Sequence, residues 1–392
     1  MNRRARSDVI VVGGGVVGAA CALGLARRGL AVVLVEGQAP LPWSAQQPDL
    51  RVYAFAPDNA ALLQRLGVWE AVRAVRVQPY RRMRVWDAAG GGELVFDADR
   101  LGRRELGWLV EHGLLADRLW AALSGAGVQL RCPARVAAME QDAHGVRLAL
   151  DDGTRLEARL AIAADGAGST LRQLAGLATH GHDYRQRGVV GYITSEQPHE
   201  DTAWQRFLPT GPLAVLPCTQ GRSSIVWTLP QDEAARVLAL DEAAFSRALT
   251  TAFGARLGEL AIDSPRAAFP LRLQLAAQPL EGRVLVIGDA AHAVHPLAGQ
   301  GVNLGLRDVA GLLDTVADAQ ARQAPWDSAH RLQRWARTRL SENTVAAYTF
   351  DGINRLFSTD ELHTTLFRGP LLGLAGRLPP LTDLLWRRAA GV

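Results

Sequence analysis

Three carboxylates and three glycine-bearing turns carry the chemistry legible in this chain. Gly13, Gly15 and Gly18 stand at the spacing G-x-G-x-x-G within Gly13-Gly14-Gly15-Val16-Val17-Gly18. At that spacing the first glycine permits a tight turn. The second lets a pyrophosphate approach the backbone, and the third lets helix and strand pack closely. Glu36 follows roughly 20 residues on, where an acid accepts hydrogen bonds from ribose hydroxyls. Two later stretches, Ala164-Asp165-Gly166-Ala167-Gly168-Ser169-Thr170-Leu171-Arg172 and Gly288-Asp289-Ala290-Ala291-His292, each place an acid and small residues just behind an apolar run. A carboxylate at Asp289 can bind a ribityl hydroxyl of a flavin, with Ala290 and Ala291 leaving room for the ring. Gly299 and Gly301 bring bare backbone close to a ligand. The helix that starts there would turn its partial positive charge toward the pyrimidine end of the ring, favouring the anionic reduced form. Each signal alone is weak. In this order they point to one dinucleotide with a built-in redox ring, held from three directions.

The elements between these turns must bring them together. Val9-Ile10-Val11-Val12 is an unbroken apolar run of the buried parallel-strand kind. Residues 19–28 read as a helix that Gly29 stops, and Ala31-Val32-Val33-Leu34-Val35 as a second strand, which makes a βαβ unit. A helix is predicted near 60–66, a hairpin across Gly90-Gly91-Gly92, a helix over 114–123, and three strands between 134 and 164. From 184 to 269 the pattern changes to strands at 188–194, 213–216 and 224–229 with a helix at 242–253. Arg283-Val284-Leu285-Val286-Ile287 then returns to the buried-strand pattern. A helix with Val302, Leu306, Val309, Leu313 and Val316 on one face comes after it. The expected fold is α/β: a Rossmann-like cofactor domain, an inserted sheet-based substrate domain and a helical C-terminal tail. The cofactor domain would comprise 1–75, 106–182 and 276–325. The substrate domain would take 76–105 and 183–275, and the helical region 326–392.

Composition sets the outer bounds. A chain of 392 residues with 48% hydrophobic and 21% charged residues supports a packed core and two domains, or one large domain with an insertion. No apolar stretch approaches the roughly 20 residues that cross a bilayer. The basic start runs straight into a strand and turn rather than a signal peptide, so a cytoplasmic protein is expected. All 43 basic residues are arginine, which removes lysine Schiff-base chemistry and the Walker lysine. The net charge of +4 is spread along the chain and does not indicate nucleic-acid binding. Cys21, Cys132 and Cys218 are isolated, lack metal-ligand spacing and read as buried thiols; no metal site is expected. Trp86 and Trp227 are expected to pack between sheet and helix rather than line a substrate pocket. Arg331, Arg334, Arg337 and Arg339 are expected to form a solvated helix face.

The three turns resemble the fingerprints of the class A flavin-dependent aromatic hydroxylases, the para-hydroxybenzoate-hydroxylase-like monooxygenases. The run His295-Pro296-Leu297-Ala298-Gly299-Gln300-Gly301-Val302-Asn303-Leu304-Gly305-Leu306-Arg307-Asp308 resembles the ubiquinone-biosynthesis hydroxylase branch more specifically. Arg206-Phe207-Leu208-Pro209-Thr210-Gly211-Pro212 does so as well. The resemblance implies FAD contacts from Gly13, Gly15, Gly18, Glu36, Arg51, Asp289, Gly299, Gly301, Val302 and Asn303. Asp165 would serve FAD and the approach of NAD(P)H, and Pro296 would lie beside the isoalloxazine where O2 reacts. His112 stands where an amide is expected, although histidine can also donate a hydrogen bond. His295 is the candidate proton relay beside Pro296. His292 could share that role, but loop stabilisation is the simpler account of both histidines. The implied activity is hydroxylation of a hydrophobic aromatic ring, a polyprenylated phenol, with NAD(P)H and O2. A membrane surface or lipid-handling complex is a possible partner. Residues 366–374 and 384–388 mix apolar side chains with arginine and suit either a lipid surface, peripheral at the inner membrane, or packing on the protein body. The alternatives are a soluble aromatic-acid hydroxylase or other flavin monooxygenase, and a flavoprotein acting mainly as scaffold of a biosynthetic complex.

Overall fold

The computed structural model describes residues 6–47, 49–90, 92–294 and 301–357, together with Arg387. The apolar run after Asp8 forms the strand Ser7–Val12, and its last four residues are buried. It lies between two parallel neighbours, with Val9 level with Val32 on one side and Leu160 on the other. Val284–Val286 runs parallel to the far edge of Arg155–Ala163. The path across this eight-stranded sheet is Leu280–Glu281, Val284–Val286, Arg155–Ala163, Ser7–Val12, Val32–Val35 and Gln129–Arg131. Helices cover one face, and the strands Val136–Gln141 and Val146–Leu150 with the helix Thr170–Leu174 pack against the other, so the central strands are buried on both sides and show no alternation. The carboxyl ends of four adjacent parallel strands therefore deliver Gly288, Ala164, Gly13 and Glu36 to one edge. Ligands of open α/β sheets bind at that edge.

The helix Gly301–Ala321 packs across the helix Val16–Arg27 at glycines. A methyl group on Gly24 would sit 2.5 Å from Leu313, and one on Gly305 would sit 2.7 Å from Val17. The helix Ala329–Phe357 packs on its outer side. Among the described residues no helix is long and apolar enough to cross a membrane.

A second, nine-stranded sheet follows the order His292–Ala293, Ala267–Ala276, Thr179–Ser195, Ser223–Pro230, Gly211–Pro217, Thr202–Leu208, Arg82–Asp87 and Glu93–Asp97. Its two faces differ. One is covered by the helices Gln231–Leu238 and Glu242–Phe253, over a core rich in aromatic side chains. Trp86 meets Phe253 there at 5.3 Å between ring centroids, and Trp227 meets Phe245 at 6.1 Å, so both tryptophans pack between sheet and helix. The other face sets Tyr192, Ala214 and Leu216 against Val52, Ala54 and Leu109 of a three-stranded sheet (Val52–Phe55, Gly107–Glu111 and Gln78–Tyr80).

Thr202–Leu208 and Ala267–Ala276 are strands that the apolar pattern does not announce. Both carry polar residues inside the run, Gln205 and Arg206 in the first and Arg272 and Gln274 in the second. The strand expected at 188–194 starts at Thr179 instead. Its first residues are polar because they form an exposed ribbon with Ala267–Ala276. The register of that ribbon shifts between Asp183 and Gln186, at an Arg185 with φ of 53°.

Candidate cofactor site

The three glycines of the first turn meet three different environments. Gly13 has φ of 104°, and a methyl group there would stand 2.3 Å from the Ala164 carbonyl oxygen. A methyl group on Gly18 would stand 1.9 Å from the Gly13 carbonyl oxygen. A methyl group on Gly15 would meet nothing within 4 Å. Two positions are thus closed by the protein's own backbone, and the middle one opens onto free space. That is the arrangement a pyrophosphate requires. Glu36 reaches back to this turn: its Oε2 accepts from Gly14 N–H at 2.5 Å and its Oε1 from Gln38 N–H at 2.9 Å. Trp120, on the helix His112–Gly125, donates its indole N–H to the Gly14 carbonyl at 2.6 Å.

Asp165 closes the second turn on itself. Its carboxylate accepts from the Ser169 hydroxyl and from Leu171 N–H. Ser169 caps the short helix Thr170–Leu174 through Arg172 N–H. Arg172 is buried and donates to the Ala290 carbonyl at 2.8 Å and to the Ala167 carbonyl at 2.9 Å. The second turn is therefore tied to the third by a guanidinium.

Asp289 in the third turn is open to solvent. It nevertheless lies deep among protein atoms, and burial raises its pKa while His292 works in the opposite direction. Tyr53 lies close enough to feel the Asp289 charge, and burial raises the pKa of its hydroxyl. The Tyr53 hydroxyl and His112 Nδ1 form a 2.8 Å hydrogen bond. Burial and the Arg51 guanidinium lower the His112 pKa to about 4, so this imidazole is neutral at neutral pH. Arg51 itself is exposed and pairs with Asp49 at 3.3 Å.

The fourth wall is the start of the helix Gly301–Ala321. Nothing lies within 4 Å of a methyl group placed on Gly301, and Val302 is buried. Asn303 is fully buried, and its side chain is spent on the protein. Its Oδ1 accepts from Ala56 N–H at 3.1 Å and from the Asn59 amide at 2.9 Å, while its Nδ2 donates to the Ala54 carbonyl at 2.8 Å. It pins the helix start to the segment 54–59 and leaves only backbone for a ligand. His295, Pro296 and Gly299 lie outside the described residues. The donor set and the space at Gly15, Gly166 and Gly301 fit a flavin dinucleotide.

One cluster escapes sequence reasoning. Asp308 is buried in the middle of the helix Gly301–Ala321. Its Oδ2 accepts from Gly288 N–H at 3.0 Å and from His292 Nε2–H at 2.6 Å. Its Oδ1 accepts from Arg339 Nε–H at 2.8 Å and Asn343 Nδ2–H at 3.0 Å. His292 thus bonds a side chain rather than backbone. Arg339 does not belong to a solvated face, as its neighbours on the same helix suggest. It is 6% exposed, because its position along that helix brings it level with the Asp308 carboxylate. Arg334 and Arg337 remain exposed, and Arg331 is half-buried against Asp318. The signal available in the sequence was only an aspartate set between the apolar positions Leu306 and Val309 of that helix.

The fold is that of the flavin monooxygenases. The crystal structure of p-nitrophenol 4-monooxygenase PnpA from Pseudomonas putida DLL-E4 superposes with a TM-score of 0.78 at 22% identity, covering 98% of both chains. Klebsiella pneumoniae HpxO complexed with FAD and uric acid gives 0.75 at 20% identity over 97% of both chains. Residues 6–342 match the FAD binding domain family. Among curated proteins, the 3-demethoxyubiquinol 3-hydroxylase of Escherichia coli (strain K12) is 39% identical over 346 residues, 86% of this chain and 87% of that protein. Ubiquinone hydroxylase UbiL of Rhodospirillum rubrum is 36% identical over 98% of this chain and 90% of its own length. Human mitochondrial ubiquinone biosynthesis monooxygenase COQ6 is 32% identical over 96% and 91%. The chain belongs to this FAD-binding family, in the ubiquinone-hydroxylase branch of the class A flavin-dependent aromatic monooxygenases.

Proposed function

We propose that the protein hydroxylates the ring of a polyprenylated phenol or quinol in ubiquinone biosynthesis, using NAD(P)H and O2. The observation that carries this is the convergence of the Gly13, Asp165 and Gly288 turns at the carboxyl ends of adjacent parallel strands. The match to ubiquinone hydroxylase UbiL extends over 98% of the chain. The redox chemistry would be supplied by bound FAD: two electrons from NAD(P)H and one O2 are consumed, one oxygen atom entering the ring and the other leaving as water. The chain's own residues bind, orient and exclude water.

In this proposal the backbone at Gly13, Gly15 and Gly18 receives the pyrophosphate and Glu36 the adenosine ribose. Asp289 takes a ribityl hydroxyl. Arg51 and His112 lie along the flavin, with His112 kept uncharged beside Tyr53. Asp165 serves the cofactor side and the approach of NAD(P)H. Gly299, Gly301, Val302 and the Asn303 backbone bound the pyrimidine end. Pro296 would flank the ring where oxygen reacts, with His295 as proton relay. The division into a cofactor domain (1–75, 106–182 and 276–325), a substrate domain (76–105 and 183–275) and a C-terminal region (326–392) belongs to the same proposal. So does contact with a membrane surface or lipid-handling complex, which a nearly water-insoluble substrate calls for.

Product analysis tests it. The flavin-loaded protein with NADH or NADPH should hydroxylate a prenylated phenol in detergent and leave small phenolic acids unchanged. The reverse preference would make it a soluble aromatic-acid hydroxylase. Quinone synthesis restored in a deletion strain by a variant that holds no flavin would make it a scaffold.

A further inference from the structure

Asp308 faces two ways, and nothing in the flavin fingerprints assigns a role to what lies behind it. One oxygen receives the Gly288 turn and His292. The other receives Arg339 and Asn343, which come from the C-terminal helix Ala329–Phe357. Asp308 and His292 are each 1% exposed, so the bridge is dry and its charges act at short range. Gly288 has φ of 58° and lies 3.0 Å from a methyl group placed on Gly305, so the turn is clamped where it leaves the strand. Four residues downstream His292 feels Asp289 as well as Asp308. A chain of alternating charge thus runs from the exposed Asp289 to the C-terminal helix: Asp289, His292, Asp308, Arg339. We infer that Arg339 and Asn343 are positioning residues for the flavin, acting through Asp308 on the Gly288–His292 turn.

Their expected action is twofold. Geometrically, they fix the Asp308 carboxylate against Gly288 N–H and so fix the direction in which Asp289 presents itself. Electrostatically, burial disfavours charge on His292, but Asp308 outweighs it and holds the imidazole protonated above its ordinary range. Burial likewise opposes charge on Asp308, yet His292 and Arg339 hold its carboxyl down to about 2. The other charged groups against this cluster are Asp289 on the turn and Glu342 beside Arg339. Removing Arg339 deletes one buried positive charge behind the turn, and the midpoint potential of a bound flavin should fall.

The inference rests on the Asp289 region holding flavin. Wild type and the variants Arg339→Met, Arg339→Lys and Asn343→Ala would be stripped of cofactor and titrated with FAD by fluorescence. Midpoint potential and apoprotein melting would be measured alongside. Arg339→Met should weaken FAD tenfold or more and lower the potential. Arg339→Lys should restore the potential in part, and Asn343→Ala should weaken FAD a few-fold with little change in potential. If Arg339→Met does not fold, Arg339→Lys and Asn343→Ala carry the test. Lower melting temperatures with unchanged FAD affinity and potential would overturn the inference and leave the cluster a plain structural brace. Wild-type protein that takes up no FAD would overturn the proposed function itself.

Discussion

The two ends of the cofactor site are built by opposite means. At the Gly13 end the walls are backbone. The strand Ser7–Val12, its turn and the helix Val16–Arg27 are consecutive in sequence, and Glu36 arrives on the very next strand. At the Gly288 end the turn is held by side chains from far along the chain: Arg172 from one side, Asp308, Arg339 and Asn343 from the other. The first end needs almost no charge. The second buries a carboxylate, an imidazole and two guanidinium groups, whose desolvation is offset by ion pairing at Asp308 and by backbone carbonyls at Arg172. Backbone sterics therefore set most of the Gly13 turn, with Glu36 and Trp120 adding one hydrogen bond each at Gly14. A turn that must present a carboxylate in a set direction needs support from other elements.

Removing the central partner of the charged end should give the largest effect. Asp308→Leu strands Arg339 and His292 in a dry interior, and a loss of about 3–5 kcal/mol is expected by denaturant titration. Retention of wild-type stability would break the contrast between the two ends. At the backbone end the comparison is sharpened by two alanines. Gly18→Ala places a methyl group against the Gly13 carbonyl, with an expected loss of about 3 kcal/mol in the cofactor-free protein. Gly15→Ala meets no protein atom and should leave the apoprotein within about 0.5 kcal/mol of wild type while weakening FAD uptake.

His112 provides a pH test of the wall between the two ends. Its pKa falls from 6.5 to about 4 on folding, so above pH 6.5 it is neutral in both states and contributes nothing. Between 6.5 and 4 the unfolded chain takes up a proton that the folded chain refuses, and stability falls as pH falls. In the cofactor-free protein the loss by pH 4 is on the order of 3 kcal/mol. His112→Gln should flatten this part of the stability–pH curve; an unaltered slope would place its cause elsewhere. The smallest effect is expected for Trp120→Phe, which keeps the ring and removes one hydrogen bond to Gly14. About 1 kcal/mol should be lost, read as a few-fold weaker FAD affinity.

Legibility followed the same division. The Gly13 turn, Glu36 and the buried strands were readable because their spacing reports a local βαβ geometry. Asp165 and Asp289 were readable as acids behind apolar runs. Arg339 was not, because its arginine neighbours on the same helix are exposed, and only its level with Asp308 distinguishes it. Asn303 was readable as a site residue, but the direction of its side chain was not. The amide turns to Ala54, Ala56 and Asn59, partners some 240 residues earlier in the chain. Thr202–Leu208 and Ala267–Ala276 were missed as strands because sheet pairing overrides a mixed apolar and polar run.

By itself, then, the sequence determined the buried strands of the cofactor sheet that precede the three turns, the turns themselves and the class of cofactor those turns receive. These depend on spacing within a few residues and on which side chains are absent. Only the tertiary structure decided how the last turn is held, that Asp289 stays open to solvent while Asp308 faces the core, and that a C-terminal helix stands behind the turn. Such contacts join residues far apart in the chain, and a buried charge is placed by its partners rather than by its neighbours in sequence.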